Sequence, residues 1–154
     1  MHGTLRLPVP FLALLVGCGG ASSGVLGKSP SAAVKEFYAA ANEGRYSDAE
    51  KYLSTEAMAA IKDSSRQLSG AIEDQGVKVD FDMTPLAVKS LCNTITKEGK
   101  IKNVEILKED IRGERATVTA RILFADGTSN ASDITQLIKE KGQWKVGREP
   151  NRAE

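Results

Sequence analysis

Apolar residues recur at helical spacing through the first half of the chain and alternate through much of the second. Ser29-Pro30 offers a cap followed by a first-turn proline. Val34, Phe37, Tyr38 and Ala41 then share one face until Gly44, so this stretch predicts a helix. Ser47-Asp48-Ala49-Glu50 reads as a capping box for a short second helix that buries Ala49, Tyr52 and Leu53. Met58, Ile61, Leu68 and Ile72 give a third stripe over residues 55–72, thinned in the middle by Ser65. Val77, Val79 and Phe81 alternate as a short strand would. Thr84-Pro85 repeats the cap-and-proline signal. Val88, Leu91, Cys92 and Ile95 continue at helical spacing toward Gly99, although Thr94 and Thr96 also suit a strand.

The period then changes. Residues 101–109 are rich in β-branched side chains, and Arg112-Gly113-Glu114 is a turn. Ala116, Val118, Ala120, Ile122 and Phe124 alternate with mostly polar neighbours, the signature of a half-buried strand. Asp126-Gly127 marks a hairpin, a third strand is expected over 128–139, and Lys141-Gly142 turns the chain into a closing strand over 144–147. Helices first and an antiparallel meander second make the fold class α+β.

Composition adds bounds. The chain has 154 residues, with 27% charged and 41% hydrophobic, which suits one soluble domain with a core. Arg6 is the only charged side chain in the first seventeen residues. Without that segment the 21 Lys and Arg fall to 20, equal to the 20 Asp and Glu. A nucleic-acid partner is not expected, because phosphate binding draws its affinity from a basic excess.

The N-terminal segment has a different character. Arg6 and the amino terminus supply positive charge, and residues 7–16 are apolar. That run fits the core of an export signal, about 7–15 residues, and falls short of the ~20 needed to span a bilayer. Leu15-Val16-Gly17-Cys18 resembles the lipobox of bacterial lipoproteins. The resemblance implies cleavage before Cys18, a thioether from its sulfur to diacylglycerol, and further acylation, palmitate being one such chain. Two or three acyl chains give a lasting anchor where one does not. The expected organisation is a signal peptide at 1–17, a lipidated cysteine and Gly/Ser-rich tether at 18–28, a folded domain at 29–148 and a polar tail at 149–154. The address is the bacterial cell envelope, facing periplasm or exterior. Gly19 in place of Asp favours the outer membrane if the source is Gram-negative.

Several local runs match a known group. Ser29-Pro30, Val34-Lys35-Glu36-Phe37-Tyr38 and Gly44-Arg45-Tyr46-Ser47-Asp48-Ala49 open the match. Arg115-Ala116-Thr117-Val118-Thr119, Asp126-Gly127 and Leu137 through Gly142-Gln143-Trp144-Lys145-Val146 close it. Their order resembles the small bacterial lipoproteins with a DUF4878-type domain, within the NTF2-like (SnoaL/cystatin-like) superfamily. Residues 60–98 match least. The resemblance implies N-terminal helices packed on a curved antiparallel sheet, a cone with a concave face, and no established activity.

Chemistry is sparse. The only histidine, His2, lies in the segment expected to be removed, so the commonest general base and metal ligand is missing from the mature domain. No metal set, cofactor motif or catalytic triad stands out. With Cys18 lipidated, Cys92 is left without a disulfide partner and reads as a small buried hydrophobe. The expected activity is therefore non-catalytic binding of a small apolar ligand or an envelope protein. Phe37, Tyr38, Tyr52, Phe81, Phe124 and Trp144 are the candidate lining residues, each more simply read as core. The alternative is an enzyme of isomerase or dehydratase type using a carboxylate in the cone, for which Asp80, Asp82 and Asp133 are the candidates. Asp80 and Asp82 fall opposite the apolar positions of the expected strand, which points them to solvent. A buried carboxylate in an open pocket would favour the enzyme. A sheet edge or face pairing two copies into a homodimer is a third expectation.

Overall fold

A computed structural model describes residues 28–130 and 132–147. The expected signal peptide, Cys18, all but the last residue of the tether and the polar tail lie outside the described residues. The described elements are α1 (Pro30–Asn42), α2 (Tyr46–Lys51), α3 (Thr55–Glu73), α4 (Thr84–Ile95), β1 (Ile101–Arg112), β2 (Arg115–Phe124), β3 (Asp133–Glu140) and β4 (Gln143–Val146). The four strands form one antiparallel sheet in the order β1-β2-β3-β4, an uninterrupted meander.

Both ends of α1 follow from sequence. The Ser29 hydroxyl accepts from the Ala32 amide at 3.2 Å, and Pro30 fills the first turn, where no amide partner is needed. At the other end Gly44 takes φ 71°. The Arg45 amide reaches back to the Ala40 carbonyl at 2.9 Å, and the Gly44 amide to that of Ala41 at 3.1 Å. This is a Schellman stop, which requires the left-handed residue that glycine supplies without strain. Asn42 ties the helix to the sheet: its amide group donates to the Ile101 carbonyl at 3.0 Å and its carbonyl accepts the Ile101 amide at 2.7 Å.

The core lies between α1, α2 and α4 on one side and the inner sheet face on the other. Val34, Phe37, Ala40, Ala49, Val88 and Cys92 meet Val118, Ala120, Ile122, Phe124, Leu137 and Trp144. The alternation expected of β2 is realised: Ala116, Val118, Ala120, Ile122 and Phe124 are all buried. β1 shows register shifts between Ile101 and Asn103 and between Ile106 and Lys108, bulges that bend the strand.

α3 is anchored at its start. Ser54 is fully buried and its hydroxyl accepts from the Ala57 amide at 3.0 Å. Glu140 on β3 accepts from both the Thr55 amide and its hydroxyl at 2.9 Å. Tyr52–Ser54 run beside β4: the Val146 amide donates to the Tyr52 carbonyl at 2.6 Å and the Ser54 amide to the Val146 carbonyl at 2.8 Å.

Four sequence expectations are corrected. No strand forms over Val77–Phe81; a few alternating residues cannot make a strand without a neighbour to pair with. Leu68, expected in the third apolar stripe, is 53% exposed, and the α3 side chains that are fully buried are Ala57 and Ser65. The Ser47 capping box is not used, since α2 begins one residue earlier with Arg45 as its cap position. β3 begins at Asp133 rather than at 128. The Asp126-Gly127 turn is stabilised locally by Asp126, which accepts from the Thr128 amide at 2.9 Å and hydroxyl at 2.7 Å, and the continuous ladder resumes only at Ala120–Asp133. The α4 helix is present. Thr94 and Thr96 fit its end by donating their hydroxyls to the Ser90 and Cys92 carbonyls at 3.0 and 3.1 Å.

Candidate functional site

A groove of about 410 Å³ opens where the helical layer meets the exposed ends of β3 and β4. α1 contributes Phe37 and Tyr38, and the turn into α3 contributes Leu53. α3 supplies Ala57, Ala60 and Ile61, and α4 supplies Leu91 and Ile95. Asp133–Gln136 of β3 and Val146 of β4 complete it. The walls are therefore mostly aliphatic, with two aromatic rings. Phe37 and Tyr38 are both buried and stand edge to face, their centroids 5.8 Å apart at 72°.

One polar pair sits in this setting. The Tyr38 hydroxyl donates to Oδ2 of Asp133. Asp133 faces inward because it pairs with Ala120, whose side chain is buried against the helices. It is half-buried. Thus a carboxylate and a phenol, 95 residues apart in sequence, meet at an apolar groove. Among the described residues no group of three or more His, Cys, Asp or Glu is placed to hold a metal ion.

The other expected lining residues go elsewhere. Phe124 is 3% exposed and Trp144 is 8% exposed; both fill the core. The Trp144 ring is covered by Lys139, whose Nζ lies 5.7 Å from the centroid. Tyr52 is drawn to the surface of α1, where its hydroxyl donates to Glu36 Oε2 at 2.5 Å beside the Lys28 ammonium, also 2.5 Å from Glu36. Burial opposes the charge on Glu36, but the hydrogen bonds from Lys28 and Tyr52 outweigh it and hold its carboxyl below the ordinary range. The bond to Glu36 and burial push the Tyr52 phenol up. Phe81 is 61% exposed and lines a separate hollow of about 500 Å³ against α3, among Lys62, Arg66, Glu73 and Asp82.

Of the three candidate carboxylates, one reaches the groove. Asp80 is exposed and pairs with Lys78 at 3.2 Å. Asp82 accepts from the Thr84 amide at 2.8 Å where α4 begins; hydrogen bonds from the Thr84 side chain and backbone lower its pKa. Only Asp133 combines inward direction with an apolar setting. Sequence reading singled out aromatics and missed the aliphatic walls. The signal was present as the i, i+4 pairs Ala57/Ile61 and Leu91/Ile95, which place two apolar residues on one helix face.

Cys92 is fully buried on α4 and its thiol is pushed up by burial. It is not among the groove residues.

A family model described as a domain of unknown function, DUF4878, matches residues 16–147. Among solved structures, a Campylobacter jejuni protein described as an NTF2-like candidate transpeptidase is similar at 16% identity. The match covers 79% of this chain and 99% of that one, with a TM-score of 0.53. A SEC-C motif containing protein from Rhodopseudomonas palustris is more remote: 19% identity, 78% of this chain, 76% of that one and a TM-score of 0.46. No curated protein matches the sequence significantly. At these identities the structural likeness speaks to fold alone.

Proposed function

The chain belongs to the DUF4878 family and has an NTF2-like α+β fold, and from that premise we propose an envelope lipoprotein whose domain binds a small apolar molecule without transforming it. The groove carries this reading. Its volume of about 410 Å³ lies in the range of small-ligand sites, and its walls are apolar apart from a few polar groups. Binding of a neutral apolar dye such as Nile red tests it. Dye fluorescence rises when the protein is added, and Ile61→Glu abolishes the rise; a rise that survives this substitution places the dye elsewhere and ends the proposal.

The anchoring half rests on the Leu15-Val16-Gly17-Cys18 run and on residues 7–16, too short to span a bilayer. Among the described residues no helix is long and apolar enough to cross a membrane. Intact mass of the native product checks the anchor directly. Diacylglycerol on Cys18 with the leader gone is the expected result; a free thiol or an intact leader refutes it.

A second reading is favoured by one observation, the Tyr38–Asp133 pair in the groove. An inward carboxylate beside a phenol is a competent acid–base pair if a substrate places a proton within reach. The neighbour's description as a candidate transpeptidase is said of that protein, and at 16% identity the likeness speaks to fold alone.

A further inference from the structure

We propose that the outer face of the sheet, at the end where β1 turns into β2, binds a carboxylate carried on a small organic body. This site does not depend on binding in the apolar groove. Ala116 and Val118 are buried, so Arg115 and Thr117, which alternate with them on β2, face away from the core. The register sets Asp110 and Gln136 on either side of Thr117, and Arg112 and Ile138 on either side of Arg115. These six residues share one face and line a hollow of about 350 Å³. Gly147 also borders it. The Gly147 amide donates to the Gln136 carbonyl at 2.8 Å, and a β-carbon on this residue would stand 3.5 Å from the Ile138 side chain. Glycine thus leaves room beside Ile138 that a side chain would take.

Arg112 and Arg115 stand directly opposite each other across an antiparallel pair, where like charges repel. Asp110 relieves only one of them: its Oδ2 accepts from Nε of Arg112 at 3.2 Å and from Nη2 at 2.9 Å. Among the described residues the Arg115 guanidinium makes no hydrogen bond or ion pair. The hollow therefore holds one positive charge in excess. It also holds a fork of uncommitted donors, beside the Thr117 hydroxyl and the Gln136 amide. A guanidinium fork matches a planar carboxylate through two parallel hydrogen bonds. The single excess charge suits a monoanion, whereas a phosphate dianion calls for a second uncommitted cation. Ile138 and the arginine stems offer apolar contact to the rest of the ligand. A like-charge pair kept against local stability is the kind of rule that sequences break at functional sites.

Nuclear magnetic resonance titration of the full chain in a neutral detergent tests this. Sodium benzoate is the probe, with benzamide and inorganic phosphate as comparisons. Benzoate is expected to shift the Thr117 and Gln136 amide signals saturably, and added salt weakens its binding. Arg115→Gln weakens it about tenfold, the scale of one lost charge-assisted contact, while the amide signals of α1 stay in place and report an intact fold. Benzamide, the same body without the charge, and phosphate both bind more weakly than benzoate. No saturable shift at Thr117 and Gln136, an affinity unchanged in Arg115→Gln, or binding of benzamide or phosphate as tight as that of benzoate overturns the proposal.

Discussion

Individual side chains divide cleanly into those that seal the core and those that face chemistry. Cys92 belongs to the first group. Its thiol is fully buried and shifted toward the neutral form, and the thiolate is the reactive species. An alkylating reagent added to the folded protein at neutral pH is therefore expected to leave Cys92 untouched, and to modify it fully once urea unfolds the domain. Mass spectrometry of the 92-containing peptide reads the outcome. Glu36 makes an opposite case, a charged group that the fold favours. Its carboxyl lies below the ordinary value of 4.5 when folded, so its contribution is present above that value and is lost as pH falls through the folded one. Because Glu36 remains partly exposed, solvent screens the effect and the change is modest. Glu36→Gln is expected to lower the neutral end of a melting-temperature profile taken between about pH 3 and 7 slightly and to leave its acid end nearly unchanged, so the profile flattens.

Whole elements show how far local pattern reaches. The ends of α1, the turn at Gly113, the turn at Lys141-Gly142 and the alternation of β2 were all legible, because each is decided by a few adjacent residues. What failed depended on distant partners. Val77–Phe81 alternates correctly but has no strand beside it, and Leu68 lies on the exposed side of α3, where Ser65 is the buried residue. The candidate site was half legible for the same reason. Tyr38 and Asp133 were each recognisable, but their meeting depends on the sheet register that sets Asp133 opposite Ala120. Substitutions separate the anchored and unanchored parts. Leu68→Glu is expected to change stability by no more than about 0.5 kcal/mol. Leu137→Ala, in the fully buried middle of β3, is expected to cost about 2–5 kcal/mol. Urea unfolding of the two variants gives both values.

At the scale of the molecule, the helical layer and the sheet are joined by packing and by a few directional bonds. Asn42 is the clearest of these, because its side chain satisfies both backbone groups of Ile101 at the point where β1 begins. Asn42→Ala leaves a part-buried donor and acceptor unpaired and is expected to cost about 1–3 kcal/mol, read from the shift in urea midpoint at constant slope. The Glu140 contact to Thr55 is a second such joint, between β3 and the start of α3.

The segment Tyr52–Ser54 lies along β4 and takes up both backbone groups of Val146. It therefore covers the Val146 end of the β4 border, and among the described residues β1 forms the opposite border of the sheet. A border that pairs with its own copy does so about a two-fold axis, and that border then has no valence left. Sheet-edge association through β1 thus terminates at a pair.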